Sequence, residues 1–92
     1  LTFNSLKDTT SDEINEAIRE ASESSDLKGV LAYTDEKLVS SDFNHNPHSS
    51  IFHTDQTNIT GKRLVRVLSW YDNEWGFSNR MADTAIAMGK NL

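Results

Sequence analysis

The chain has 92 residues, 36% of them hydrophobic and 25% charged, carries a formal charge of −5 and contains no cysteine. These values describe one ordinary globular domain with a small core, and they exclude a disulfide framework or a thiol nucleophile within it. A net negative charge with scattered Lys and Arg argues against nucleic acid or an anionic membrane as a partner, and no apolar run is long enough to span a bilayer.

Leu1, Phe3 and Ser5 alternate with Thr2 and Asn4 in the period of a half-buried strand, with neither an initiator Met nor a signal pattern before them. The sequence therefore reads as part of something longer. Thr10-Ser11-Asp12-Glu13 has the spacing of a capping box, in which the Thr10 hydroxyl accepts a backbone N–H and Glu13 reaches back to the cap. The helix it predicts carries Ile14, Ala17, Ile18 and Ala21 on a narrow stripe, with Glu16, Arg19, Glu20 and Glu23 elsewhere. That is the pattern of a surface helix lying on a sheet. The serines of 22–25, Asp26 and Gly29 supply its stop.

Four β-prone runs follow, at 29–33, 38–43, 49–53 and 64–70, separated by turn-rich pieces. Asn58-Ile59-Thr60 fits a glycosylation sequon but reads more simply as a polar turn before Gly61. In the run 64–70, Val65 and Val67 point one way while Leu64, Leu68 and Trp70 point the other, so both faces have something to bury. One helix cannot cover two faces, and the second is expected to meet a neighbouring subunit or more chain. After Asn73 the period lengthens: Phe77, Met81, Ala82, Ala85, Ile86, Met88 and Gly89 occupy half of a helical wheel and call for a large docking surface. The predicted class is α+β, a mostly antiparallel or mixed sheet with a surface helix and a C-terminal helix.

Asp72 and Asn73 sit where the strand pattern stops and the helical one begins. Both residue types cap helices well, and a primary amide at such a junction also donates and accepts, as recognition of another amide requires. The aromatics around them would dry the surroundings. Asp42, His45, His48, His53 and Asp55 are ligand types at short spacing, but the spacing matches no standard zinc site and no metal site is predicted.

The segment SWYDNEWGFSNRM, preceded by LVSSDFNHNPHSSIF and KGVLAYTDE, closely resembles the C-terminal part of bacterial phosphorylating glyceraldehyde-3-phosphate dehydrogenases, and the similarity runs across essentially the whole chain. The resemblance implies that residues 1–72 are the C-terminal portion of a catalytic domain and that 73–92 form a helix returning to an NAD-binding domain. It implies a cytoplasmic, glycolytic homotetramer that converts glyceraldehyde 3-phosphate, NAD and phosphate to 1,3-bisphosphoglycerate and NADH, with a sugar phosphate rather than a nucleic acid or membrane as partner. Asn73 is then the cofactor-binding residue, hydrogen-bonded to the nicotinamide carboxamide. Phe77, where the family commonly has Tyr, is expected nearby.

No catalytic residue is expected within the chain. The family's thiol, its activating histidine, the glycine-rich pyrophosphate turn and the phosphate-binding arginine all belong upstream, so His45, His48 and His53 are not assigned that role, and the chain alone is expected to be inactive. The N-H-x-P-H-S segment at 44–49 also resembles erythrose-4-phosphate dehydrogenase, although Trp70-Tyr71 favours the glyceraldehyde enzyme. A reading of a different class is a stand-alone assembly module acting through the wide apolar helix. The ribose-reading residues lie outside the chain, which leaves NAD against NADP open.

Overall fold

In a computed structural model describing residues 1–92, the elements run β1 (Thr2–Asn4), α1 (Ser11–Glu23), β2 (Leu31–Thr34), β3 (Ser50–His53), β4 (Asn58–Thr60), β5 (Leu64–Arg66), β6 (Ser69–Trp70) and α2 (Trp75–Lys90), with 3-10 turns at Ser40–Phe43 and Thr54–Gln56. The strands form two three-stranded sheets, ordered β1-β5-β4 and β2-β3-β6. Only β2 and β3 run parallel. The class is α+β, as the sequence pattern predicts.

Half of the capping box forms. The Thr10 hydroxyl accepts the Glu13 N–H at 3.2 Å, but the Glu13 carboxylate accepts a hydrogen bond from the Thr9 hydroxyl at 3.1 Å instead of turning back to the cap backbone. At the other end the Ser24 hydroxyl donates to the Ala21 carbonyl at 2.7 Å. The side of α1 that meets the sheet is more polar than its apolar stripe suggests. Ser22 is buried, the Arg19 guanidinium lies 5.0 Å from the Tyr33 ring centroid, and Asn15 donates to the Thr54 carbonyl while accepting from the Thr57 hydroxyl. Ile14, Ala17 and Ile18 instead line an open apolar groove of about 450 Å³ with Leu1, Phe3 and Phe52.

Four expectations are corrected. The run 38–43 is no strand: the Asp42 carboxylate accepts the Val39 N–H at 2.8 Å and the backbone closes into a 3-10 turn, the local alternative that Ser and Asp offer to a ladder. Residues 58–60 are a strand, not only a turn, joined to β5 by a bend whose Gly61 sits at φ 67°. The run 64–70 divides between the two sheets. Val67 exchanges backbone hydrogen bonds with Leu1, while the Leu68 carbonyl already accepts from His53, so the chain changes partners there and β6 joins β3. Finally, β1 is exposed along its length rather than half-buried.

Only eight residues are buried, and the apolar core is Phe43, Ile51, Phe52 and Val65. Ile51 and Phe52 alternate across β3, so Phe52 faces the α1 groove while Ile51 shares its face with its partner Trp70. Phe43 stacks on Trp70, the centroids 5.4 Å apart, and brings the 3-10 turn over that second face. His53 is buried beside them. Its Nδ1 accepts the Trp70 indole N–H at 3.0 Å, which places its own proton on Nε2, and no group in the chain accepts that proton.

Helix α2 leaves this body. The radius of gyration is 15.1 Å, against about 12 Å for a compact domain of this length, and the extents are 50 × 30 × 19 Å. Beyond Arg80 every α2 residue is exposed. No helix is long and apolar enough to cross a membrane.

Candidate functional site

The strand-to-helix junction is built around one carboxylate. Asp72 Oδ1 accepts the N–H groups of Glu74 and Trp75, both at 2.9 Å, which satisfies donors that the start of α2 otherwise leaves free. Its Oδ2 reaches across to the loop at 44–49 and accepts the N–H of His45 at 2.8 Å. Three N–H donors favour the charged form, so hydrogen bonds from Trp75, His45 and Glu74 hold the Asp72 carboxyl below its usual range. His45 occupies the left-handed region at φ 61°, uncommon for a residue with a side chain, and its ring meets Trp75 edge-on at 5.6 Å.

The same loop is pinned to α2 at two further points. A Cβ on Gly76 would stand 2.8 Å from the His48 carbonyl oxygen, so only glycine allows the helix to approach the loop this closely. One turn on, Arg80 donates to the Ser49 hydroxyl at 3.1 Å and to Asp83 at 2.9 Å. His48, half-buried against this contact, has its pKa lowered first by burial and then by the Arg80 charge, which favours the neutral ring.

Between these pins lies a pocket of about 520 Å³ with a mostly polar lining, walled on one side by the 3-10 turn and His45 and on the other by Tyr71, Asn73, Glu74 and Trp75. Asn73 is exposed, and its amide makes no hydrogen bond to the rest of the chain. Helix capping at the junction is done by Asp72. The capping reading is therefore satisfied by one residue, and the neighbouring amide is left with two donors and an acceptor facing the pocket's solvent.

The resemblance implies that Phe77 lies near the nicotinamide. Phe77 is 66% exposed and lies with Met81, Ala85 and Met88 on a shallow groove of α2, outside the Asn73 pocket. Tyr71, Trp75 and Phe43 are the aromatics of the wall. The five ligand-type residues of 42–55 do not assemble: Asp42 caps the first 3-10 turn, His45 packs on Trp75, His48 Nδ1 pairs with the Asn46 side-chain oxygen at 2.9 Å, His53 is buried against Trp70, and Asp55 lies exposed in the second 3-10 turn. No three His, Cys, Asp or Glu side chains lie together as a metal site. The contribution of the loop wall was not legible in the sequence, because the Asp72 to His45 bond joins positions 27 apart.

Comparison with known proteins places these features in a family. Residues 1–73 match the family described as glyceraldehyde 3-phosphate dehydrogenase, C-terminal domain. The whole chain is 64% identical to part of the glyceraldehyde-3-phosphate dehydrogenase of Cereibacter sphaeroides. Over 98% of the chain it is 63% identical to that of Xanthobacter flavus, and over 99% it is 53% identical to that of Zymomonas mobilis. In each case the match covers 27% of the relative, so the chain spans about a quarter of the length of the curated relatives it matches.

Proposed function

Because the chain belongs to the glyceraldehyde 3-phosphate dehydrogenase C-terminal domain family, we propose that it is the part of such an enzyme that grips the amide end of the nicotinamide, with Asn73 as the gripping residue. The observation that carries this reading is the unpartnered Asn73 amide at the edge of a mostly polar pocket that Phe43, Tyr71 and Trp75 help to line, on a turn held from both sides. The donor set fits the group. A carboxamide presents one acceptor and two donors, and Asn73 presents the complementary pair within one side chain.

Bound NAD supplies the hydride acceptor for oxidation of glyceraldehyde 3-phosphate, in the presence of phosphate, to 1,3-bisphosphoglycerate. This chain's share is orientation. Asn73 fixes which way the carboxamide points and hence which face of the ring is presented, beside the Tyr71 and Trp75 side chains that line the same pocket. The chain holds no cysteine, and His53 is not arranged as a general base, because its Nδ1 accepts the Trp70 indole N–H and its Nε2 carries the proton. We assign thiol chemistry, phosphate recognition and the pyrophosphate cradle to the rest of the subunit. The 92 residues alone should not reduce NAD when aldehyde and phosphate are supplied. The cytoplasmic, homotetrameric state of the whole enzyme belongs to the same proposal.

The test is Asn73→Ala in a full-length dehydrogenase carrying this chain. One ordinary hydrogen bond is worth about 1 kcal/mol, so NAD affinity should fall about fivefold, with a further loss of turnover from misorientation of the ring and little change in melting temperature. Unchanged turnover and cofactor affinity would refute the assignment.

A further inference from the structure

We propose that Asp72 is the positioning residue that aims Asn73, acting through backbone it holds on both sides of that amide. The inference rests on the reading of Asn73 as the partner of the nicotinamide carboxamide. A residue that only capped α2 would need no more than the two bonds from Oδ1 to Glu74 and Trp75. Asp72 commits its second oxygen to the N–H of His45, in the loop that forms the opposite wall of the pocket.

Asn73 lies inside the ring thus closed. Its preceding residue supplies the carboxylate, the two residues that follow supply N–H groups to it, and the Asp72 carbonyl accepts the Gly76 N–H at 3.3 Å. Its backbone is therefore fixed although its side-chain amide makes no hydrogen bond within the chain. The His45 bond then sets the distance between that backbone and the facing wall, and His45 holds a left-handed φ where it makes this bond. Positional control of this kind matters most for a group whose task is to orient a ligand, because a small displacement of such a group lowers turnover by more than one weakened hydrogen bond would.

The inference is tested by ligand binding to the apo form of a full-length dehydrogenase carrying this chain, using NAD and ADP-ribose, which lacks the nicotinamide. Asp72→Asn keeps the shape but turns one acceptor into a donor facing N–H groups. It should weaken NAD several-fold and leave ADP-ribose unchanged, and amide exchange at Trp75 should quicken. Asn73→Ala should weaken NAD about fivefold, the share of one hydrogen bond, again without effect on ADP-ribose. The double variant should bind NAD no more weakly than Asn73→Ala alone, since residues acting through one another are not additive.

Should Asp72→Asn fail to fold, Asp72→Ser keeps a capping oxygen for α2 while releasing His45, and the same selective loss is expected of it. Equal weakening of both ligands would reduce Asp72 to a structural role and overturn the inference, as would a ratio unchanged from the parent. If Asn73→Ala leaves the ratio unchanged, the nicotinamide reading itself falls. A selective loss in Asn73→Ala without one in either Asp72 variant removes only the inference about Asp72.

Discussion

Strand β3 has four residues and buries three of them, whereas helix α2 has sixteen and buries one, Gly76. Both are rich in apolar side chains, but those of β3 are covered from two sides, by Phe43 and Trp70 on one face and by the α1 groove on the other. On α2, Phe77, Met81, Ile86 and Met88 are between 58% and 66% exposed. The contrast separates two properties that an apolar pattern merges: the capacity to pack, which both elements have, and a partner within these residues, which only β3 has. The candidate site sits at the boundary, and it belongs to the well-held side. Asp72, Gly76 and Arg80 fasten the first turn and a half of α2 to the 44–49 loop before the helix runs clear.

The largest effect that sharpens this contrast is expected at Phe52, which is 4% exposed. Phe52→Ala should lower unfolding free energy by about 3–5 kcal/mol, enough to unfold a small domain, while Phe77→Ala in the same chain should change it by no more than about 0.5 kcal/mol. Denaturant melts of both variants measure this directly. Next comes Gly76→Ala. The added methyl meets backbone rather than a yielding side chain, so a loss of about 1–3 kcal/mol and faster amide exchange in the first turn of α2 are expected.

Smaller still is the double change Met81→Gln and Ile86→Gln, which should alter the stability of the 92-residue chain by about 0.5 kcal/mol or less but reduce its self-association in sedimentation. In a protein where the face is covered, the same pair should instead loosen the helix.

The mildest test is pH. Burial and the Arg80 charge lower the His48 pKa in the folded chain, so stability should begin to fall as pH drops below the ordinary 6.5, where the unfolded chain takes up a proton that the folded one resists. Asp72 acts in a lower window. Its contribution is complete above the ordinary 3.8 and is lost as pH falls through the lowered folded value. Melting temperature against pH for the parent and for His48→Gln separates the two, the first decline disappearing in the variant.

Much of the site was legible because its signals are local. The period change after Asn73, the polar step within aromatics and the Thr10 cap are read within a few residues, and each has its counterpart in the structure. What escaped is non-local or competes with a stronger local rule. Residues 38–43 read as a β-prone run, yet the Asp42 side chain captures the Val39 N–H and turns the backbone. The run 64–70 reads as one strand, and its division appears only where Leu1 and His53 compete for neighbouring backbone groups. The second oxygen of Asp72 has no sequence signature at all, because its partner is chosen by the fold.

The central claim, that Asn73 holds the nicotinamide carboxamide, is tested most directly by the structure of a full-length dehydrogenase carrying this chain with NAD bound. The account predicts an Asn73 side-chain nitrogen or oxygen about 2.7–3.2 Å from the carboxamide, with the Asp72 bonds to His45, Glu74 and Trp75 intact. A nicotinamide seated away from the pocket, with the Asn73 amide still turned to solvent, would contradict it.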